Sequence, residues 1–360
     1  MNTRDKKKIV LVINPGSTST KIAIYSKEGP VFETNVKHDA SQLVKFDIVT
    51  EQLDLRWDVI SKCISENLPS DVSVVAVVGR GSPLRPLEEG TYEISPAMLE
   101  DLRACKYSNH VSNLGAIIAD RLAKQFGVPG YIVDPVTVDN LIPEARISGH
   151  PLIERRSRSH ALNVRATAMA AAAKIGKPLS QLNFVVAHMG GGISVCAVRG
   201  GKIIDLNDGL LGQGPFSPNR AGTLPIGPLM SLCFSGKYTQ KELTDMFSKE
   251  SGLKAYLGTE DVEEVLRRMA AGDERARLVF GAMIYQIAKE IGAMAAALKG
   301  AVHGIVLTGG MTHSKEITDS ITNYVGFLGP VYVFPGEMEM EALAQGAFRV
   351  LEGKEKAKEY

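Results

Sequence analysis

Cysteine is scarce and unpatterned in this 360-residue chain: Cys63, Cys105, Cys196 and Cys233 are scattered. No C-x-x-C pair exists, which argues against a zinc ribbon or a disulfide scaffold and for reduced, mostly buried thiols of a cytoplasmic protein. Net charge is also missing. Lys and Arg number 41 against 40 Asp and Glu, a balance of +1, so the basic excess of a nucleic-acid-binding protein is absent. No long apolar run stands uninterrupted; the greasiest stretch, Met283 to Leu298, carries Lys289 and Glu290, and no membrane span is expected. The charged N-terminus lacks the apolar core and cleavage site of a signal peptide. Neither G-x-x-x-x-G-K-[ST], G-x-G-x-x-G nor a protein-kinase motif occurs, so any phosphate must be held by other means.

What is present is an apolar run, Ile9 to Ile13, ending in Asn14-Pro15-Gly16-Ser17-Thr18-Ser19-Thr20-Lys21, followed by a second run, Ile22 to Tyr25. The first run reads as a strand buried on both faces. The turn gathers backbone N–H groups, hydroxyls and one cation, the groups that hold a phosphate. An ordinary Ser/Thr-rich hairpin has the same composition. The pattern recurs in the second half: Phe184 to Ala187, then His188-Met189-Gly190-Gly191-Gly192, then Ile193 to Val198. Glycines at such a bend let the backbone approach an anion. The repetition predicts an internal duplication with one nucleotide between the halves, and the length suits two domains.

The rest of the chain alternates strands and helices. Val31 to Lys37 reads as a third strand, Glu51 to Asn67 as a helix, and Val72 to Val78 as a buried strand ending at Gly79-Arg80-Gly81. An arginine at the carboxyl end of such a strand sits where α/β proteins place ligands, or is a solvated loop residue. Ser95-Pro96 reads as a helix start, and Asn109-His110 leads into another helix. Tyr131 to Val133 is a strand ending at Asp134, which either orients a catalytic group or caps the next turn. The run from Glu154 to His160 reads by default as a solvated basic patch. His160 then falls at the N-terminus of the Ala161 to Ile175 helix, where positive charge favours its neutral form. The long Gly- and Pro-rich loop from Gly209 to Pro228, with Ser217-Pro218-Asn219-Arg220, is of a length that is usually functional. Thr308-Gly309-Gly310-Met311 follows the Ile305 to Leu307 strand, and its Gly pair suits close approach to a flat ligand such as a purine. The last helix is expected from about Glu337, with Glu337, Glu339 and Glu341 favouring its dipole, and Gly353 to Tyr360 is expected to fray.

The segments VINPGSTSTKIAIY, RRSRSHALNVRATA, VAHMGGGISV, GPFSPNRAGTLP, VLTGGM and PGEMEMEALAQGA together resemble the acetate kinase family, within the superfamily of sugar kinases, actin and heat-shock chaperone ATPases. The likeness runs from about Ile9 to Glu352. It implies an α/β fold of two domains with duplicated ribonuclease-H-like (actin-like ATPase) βββαβαβα cores around a nucleotide cleft. The first domain would span 1–153, with the 338–360 helix packing back on it, and the second 154–337. The implied activity is reversible, Mg²⁺-dependent phosphoryl transfer between ATP/ADP and a short-chain carboxylate. Where the family usually has Gly-Phe-His-Gly-Thr-Ser-His, this chain has Arg-Ser-Arg-Ser-His-Ala-Leu-Asn, and it is shorter than most acetate kinases. Both differences point to the butyrate branch, with an acetate or propionate kinase as the alternative. A nucleotide-driven binding module is the reading from another class. By resemblance, Arg80 and Arg220 hold the acid's carboxylate and the transferring phosphoryl group across the cleft, His160 donates to the phosphoryl group, and Asp134 orients an Arg or a metal-bound water. Asn14 and Glu339 would lie at the metal, with Glu337 or Glu341 in place of Glu339 if the register shifts. Asn14, Gly16, Ser17, Thr18, Ser19, Lys21, His188 and Gly190 to Gly192 would face phosphates, and Gly309 and Gly310 the adenosine. His110 matches a second family His with a lesser role. Partners are the small acid and ATP, with neither nucleic acid nor membrane, in a homodimer or larger homo-oligomer.

Overall fold

The computed structural model describes residues 6–360. They divide into two compact units: residues up to Asp139 together with Met338–Tyr360, and Asn140–Glu337. The second unit begins at Asn140, ahead of the expected boundary after residue 153. The physical reason is local: the Ile142 amide donates to the Ile204 carbonyl at 3.1 Å, and Arg155 reaches back to the Ala145 carbonyl at 2.6 Å.

In the first unit, β1 (Lys7–Pro15), β2 (Ser19–Ser26) and β3 (Gly29–Lys37) form an antiparallel meander. β4 (Val72–Arg80) joins β1 in parallel, β6 (Gly130–Val133) joins β4 in parallel, and the short β5 (Thr91–Glu93) closes the edge, giving the order β3-β2-β1-β4-β6-β5. Both faces of β1 are covered. Ile9, Leu11 and Ile13 pack with Ile60, Ile64, Leu114 and Ile118 from two helices, which is why this strand is an unbroken apolar run. The helices obey ordinary start signals. Ser95 accepts from the Met98 amide with Pro96 in the first turn, as expected.

The second unit repeats the plan. β7 (Asn183–Met189), β8 (Ile193–Arg199) and β9 (Lys202–Leu206) are the antiparallel meander. β10 (Gly304–Gly309) joins β7 in parallel and β11 (Val331–Pro335) joins β10, in the order β11-β10-β7-β8-β9. Reversed, that is the order of the first sheet's five leading strands, so the duplication expected from the two turns is present in the topology. The Glu274–Ala297 helix is long and apolar enough to cross a membrane by composition, but its Phe280, Met283, Ile287 and Ile291 are buried in this unit's core.

Several local expectations change. The chain's last residues do not fray. The Lys358 amide donates to Thr91 O at 2.8 Å, the Glu93 amide to Lys358 O at 3.0 Å, and the Tyr360 hydroxyl to Asp101 at 2.7 Å, so the lysine-rich end is held at the edge of β5. The cysteines are all free, as expected, but only Cys196 is buried, and Cys233 is exposed. The basic run is not wholly solvated. Arg155 pairs with Asp205 at 2.8 Å, and Ser157 and Ser159 are buried. The last helix starts at Glu339.

Two close approaches set the geometry of the first unit. A Cβ on Gly115 would lie 2.5 Å from the Arg80 carbonyl oxygen, and Gly79 faces the Gly115 backbone in the same way. The Asn113–Phe126 helix therefore rests directly on the end of β4. Gly115→Val forces the two apart, and we expect a loss of about 1–3 kcal/mol in chemical denaturation; an unchanged midpoint would refute the contact. His38 offers a second test. It is buried, accepts or donates to Thr20 Oγ1 at 2.8 Å, and its Nδ1 has no partner among the described residues. Desolvation, and then the charge of Arg56, lower its pKa from 6.5 to about 4. Between those two pH values the unfolded chain takes up a proton there that the folded chain refuses, so the residue removes stability as pH falls through that window. His38→Gln is expected to flatten the fall in thermal midpoint between pH 6.5 and pH 4; an unaltered slope would contradict this.

Candidate functional site

The expected site residues fall into a set in each unit. In the first, β1 and β2 are longer than the sequence suggested. Asn14 and Lys21 face each other in the ladder, and only Gly16, Ser17 and Thr18 form the bend. The Gly16 amide donates to Ser19 O at 2.7 Å, closing the turn. Ser17, Thr18 and Lys21 are exposed, whereas Asn14 is buried. β1 and β4 run in parallel with Ile13 opposite Gly79, so the next residues, Asn14 and Arg80, are neighbours at the carboxyl ends of the two strands.

A helix from the far end of the chain meets them there. Glu339, in its first turn and only 5% exposed, accepts from Asn14 Nδ2 at 3.1 Å and pairs with Arg80 Nη1. Both contacts fall on one oxygen, Oε2. A carboxylate in the first turn also suits the helix dipole. Of the three glutamates considered for the metal, Glu339 is thus the one beside Asn14. Glu341 is exposed, and Glu337 belongs to the second unit. One carboxylate with one amide is a donor set that suits Mg²⁺, which keeps most of its waters and takes few protein ligands. Among the described residues no group of three or more His, Cys, Asp or Glu side chains gathers as a metal cluster.

His110 holds Ser112 Oγ at 2.7 Å through Nδ1. Although the residue keeps solvent exposure, desolvation of its ring lowers its pKa, and the charge of Arg80 lowers it further. Asp134 follows β6, whose Val133 is paired with Arg80. Its backbone has φ of 40°, a left-handed conformation that non-glycine residues adopt at a cost. Its carboxylate accepts the Gly90 amide at 2.7 Å, and its own amide donates to Gly90 O at 3.0 Å. Both of these contacts are with Gly90, 44 residues back in the chain, rather than with the turn that follows Asp134.

In the second unit, Gly190, Gly191 and Gly192 join β7 to β8, with the Gly190 amide donating to Gly192 O at 3.1 Å. His160 occupies the N-cap position of the Ala161–Ile175 helix without a side-chain capping bond. Its ring stacks on that of His188, with centroids 3.8 Å apart and planes at 14°. Each ring is held by a second group. His160 Nδ1 meets Ser194 Oγ at 2.9 Å, and His188 Nδ1 meets Asn163 Nδ2 at 2.8 Å. Asn163 Nδ2 also donates to Thr308 Oγ1 at 3.1 Å, which in turn donates to Gly336 O at 3.0 Å. An amide NH₂ can only donate, so His188 Nδ1 accepts and its proton sits on Nε2. Glu337 Oε1 is 3.9 Å from that nitrogen.

Arg220 is anchored to the glycine turn. The Ser217 hydroxyl donates to Gly191 O at 2.6 Å and accepts from the Arg220 amide at 3.2 Å, while Arg220 Nη1 donates to Gly209 O. The guanidinium lies against Gly192, where any side chain would collide with it. Arg220 Nε is buried with no hydrogen-bond partner among the described residues. Desolvation lowers its pKa, opposed by Asp208. An unmatched buried donor on a cation is an anion-binding feature. Gly309, at φ 94°, lies against the Met189 backbone, and Gly310 has open space where a side chain would be. A cavity of about 260 Å³ lies under the loop after β9, lined by Leu210, Leu211, Leu224, Leu229 and Phe247; neither histidine lines it.

Sequence reasoning missed Arg56, Asn163 and Ser194. Arg56 had a readable signal: it shares a helix face with Ile60 and Ile64, so it is a charge in an apolar stripe. Asn163 and Ser194 had none, since their roles come from partners distant in the chain.

Comparison with known proteins bears on the family and the fold. A profile of the acetokinase family matches residues 151–343. The chain is 49% identical over 351 residues to "Probable butyrate kinase 2" of Caldanaerobacter subterraneus, covering 98% of this chain and 99% of that one. It is 45% identical to "Probable butyrate kinase" of Clostridium botulinum over the same extent. Among solved structures, Porphyromonas gingivalis acetate kinase superposes with a TM-score of 0.79 at 19% identity, over 96% of this chain and 100% of that one. A propionate kinase from Francisella tularensis gives 0.74 at 19%, over 94% and 98%. These two likenesses show the fold, α/β with two actin-like ATPase domains. Profile and relatives together extend over nearly the whole length, and the chain belongs to the acetokinase family.

Proposed function

We propose that the protein is a short-chain carboxylate kinase that transfers a phosphoryl group reversibly between ATP and butyrate, or a branched acid of similar size, giving the acyl phosphate and ADP. The observation that carries this reading is the second unit's Arg220, held against a triglycine turn with a buried, unmatched Nε, in a chain whose near-full-length relatives bear the name butyrate kinase.

The attacking carboxylate and the γ-phosphoryl group are both anionic, and a loose transition state asks chiefly for positioning and for positive charge on the transferring oxygens. Arg220 is assigned to those oxygens, where its planar fork can grip two at once. His160 is assigned a hydrogen bond to the same group, with Ser194 holding its ring. His188, its proton fixed on Nε2 by Asn163, serves as a donor beside the phosphates that Gly190 to Gly192 approach. Gly309 and Gly310 border the adenosine. In the first unit, Arg80 is assigned to the acid's carboxylate. Only its Nη1 is engaged by Glu339, which leaves the rest of the fork for the substrate. Asp134 steadies the strand end beside Arg80. The bend from Gly16 to Ser19, with Lys21, is assigned to phosphate, and Asn14 and Glu339 to the metal. When bound, Mg²⁺ supplies charge neutralisation at the phosphate oxygens. We assign the enzyme to the cytoplasm. Ile226, Met230 and Phe234 lie four residues apart and are 73%, 55% and 85% exposed; this apolar stripe supports a homo-oligomer.

Acyl-phosphate formation from Mg-ATP, trapped with hydroxylamine across formate to valerate and isobutyrate, is expected to give its highest kcat/KM at four carbons. A peak at acetate or propionate would overturn the chain-length assignment, because one methylene changes specificity by only ~1–3 kcal/mol. Arg220→Ala is expected to lower kcat by about 10²–10³ with the fold intact by circular dichroism. A variant within threefold of the parent enzyme would remove Arg220 from the mechanism.

A further inference from the structure

The Leu53–Asn67 helix turns Arg56, Ile60 and Ile64 to the core of the first unit, and Arg56 is 0% exposed. Its guanidinium is fully used. Nε and Nη2 donate to Gln52 Oε1 at 3.1 and 3.0 Å, Nη1 to Gly16 O at 2.9 Å and Ser19 O at 3.3 Å, and Nη2 to Ser17 O at 2.8 Å. No carboxylate among the described residues pairs with it. Burial lowers its pKa to about 10, which leaves it charged at neutral pH. A buried cation matched only by carbonyl dipoles is costly, and a protein that needed only a turn could have closed it with a neutral side chain.

The direction of those bonds matters. In a planar trans peptide the carbonyl of one residue and the N–H of the next point opposite ways. With the carbonyls of Gly16 and Ser17 drawn inward to Arg56, the amides of Ser17 and Thr18 are turned outward, on the exposed side of the bend. Successive outward N–H groups make an anion-binding concavity.

We propose that Arg56 is a positioning residue for phosphate: it orients the Ser17 and Thr18 amides toward the ligand, and its buried charge is completed by the phosphoanion that binds on the other side of the bend. This rests on the reading of the first turn as a phosphate turn. The charge acts through one layer of backbone, without direct contact with the ligand.

The test compares ADP and adenosine binding by calorimetry in the parent protein, Arg56→Met and Ser17→Pro. Arg56→Met is expected to weaken ADP on the order of tenfold or more while adenosine is unchanged. Equal weakening of both, or of neither, overturns the proposal, since a merely structural arginine would not discriminate phosphate from nucleoside. Ser17→Pro removes one amide while keeping the residue-17 carbonyl that Arg56 binds. If it weakens ADP while Arg56→Met does not, Arg56 is excluded and the turn reading stands. If Ser17→Pro also leaves ADP unchanged, the turn reading itself fails. Should Arg56→Met not fold, Arg56→Lys carries the same comparison: it keeps the cation with three donors, and a severalfold loss for ADP alone is expected, with equal loss for adenosine again overturning the proposal.

Discussion

A buried carboxylate joins the two strand ends to which the first unit's proposed chemistry is assigned. Glu339 Oε2 takes both the Asn14 amide and the Arg80 guanidinium. Breaking such a pair from one side leaves an unmatched charge and costs of the order of 3–5 kcal/mol, so the three residues stand or fall together. The arrangement also gives Arg80 a defined orientation. A long cation at a strand end samples many rotamers, and a fixed ion pair on one nitrogen removes most of that freedom before a ligand arrives.

The two units answer the same problem with different materials. Each presents the bend between its first two strands, and each bend must hold its backbone in one orientation. In the first unit the bend is built of hydroxyl residues, and a buried arginine fastens it from behind. In the second the bend is three glycines, which have no side chains to fasten, and order comes from the flanks. The stacked His160 and His188 lie on one side, and Ser217 ties Gly191 to the Arg220 loop on the other. The hydrogen-bond chain Asn163–Thr308–Gly336 then carries the position of β10 to the His188 ring.

Much of this was legible from periodicity and turn chemistry. The apolar runs of β1, β7 and β10, and the second half of β4, are buried on both faces, so their hydrophobicity is continuous and easy to see. The glycine and hydroxyl bends and Arg80 stood out because those residue types end strands where ligands bind, whereas Arg220 was singled out by the family resemblance. The boundary at Asn140, the docking of Lys358 on β5 and the identity of the buried glutamate were not legible. Each depends on a contact between residues far apart in the chain, and a local pattern carries no trace of it. In the sequence Glu337, Glu339 and Glu341 fit a first helical turn equally well; the helix's start at Glu339 and its placement on β1 and β4 distinguish them. Arg56 was open to inference, since its spacing from Ile60 and Ile64 put a charge where a core residue belonged.

The tail from Met338 onward has a consequence for synthesis. Gly346 sits so close to Val133 that a side chain there would overlap it, and Lys358 pairs with Thr91 and Glu93. The first sheet therefore lacks its covering helix and its edge partner until Glu339–Lys358 have been made, after every strand of the second sheet. The half of the molecule made last is the one free to mature first. The earlier half must wait with an apolar face open.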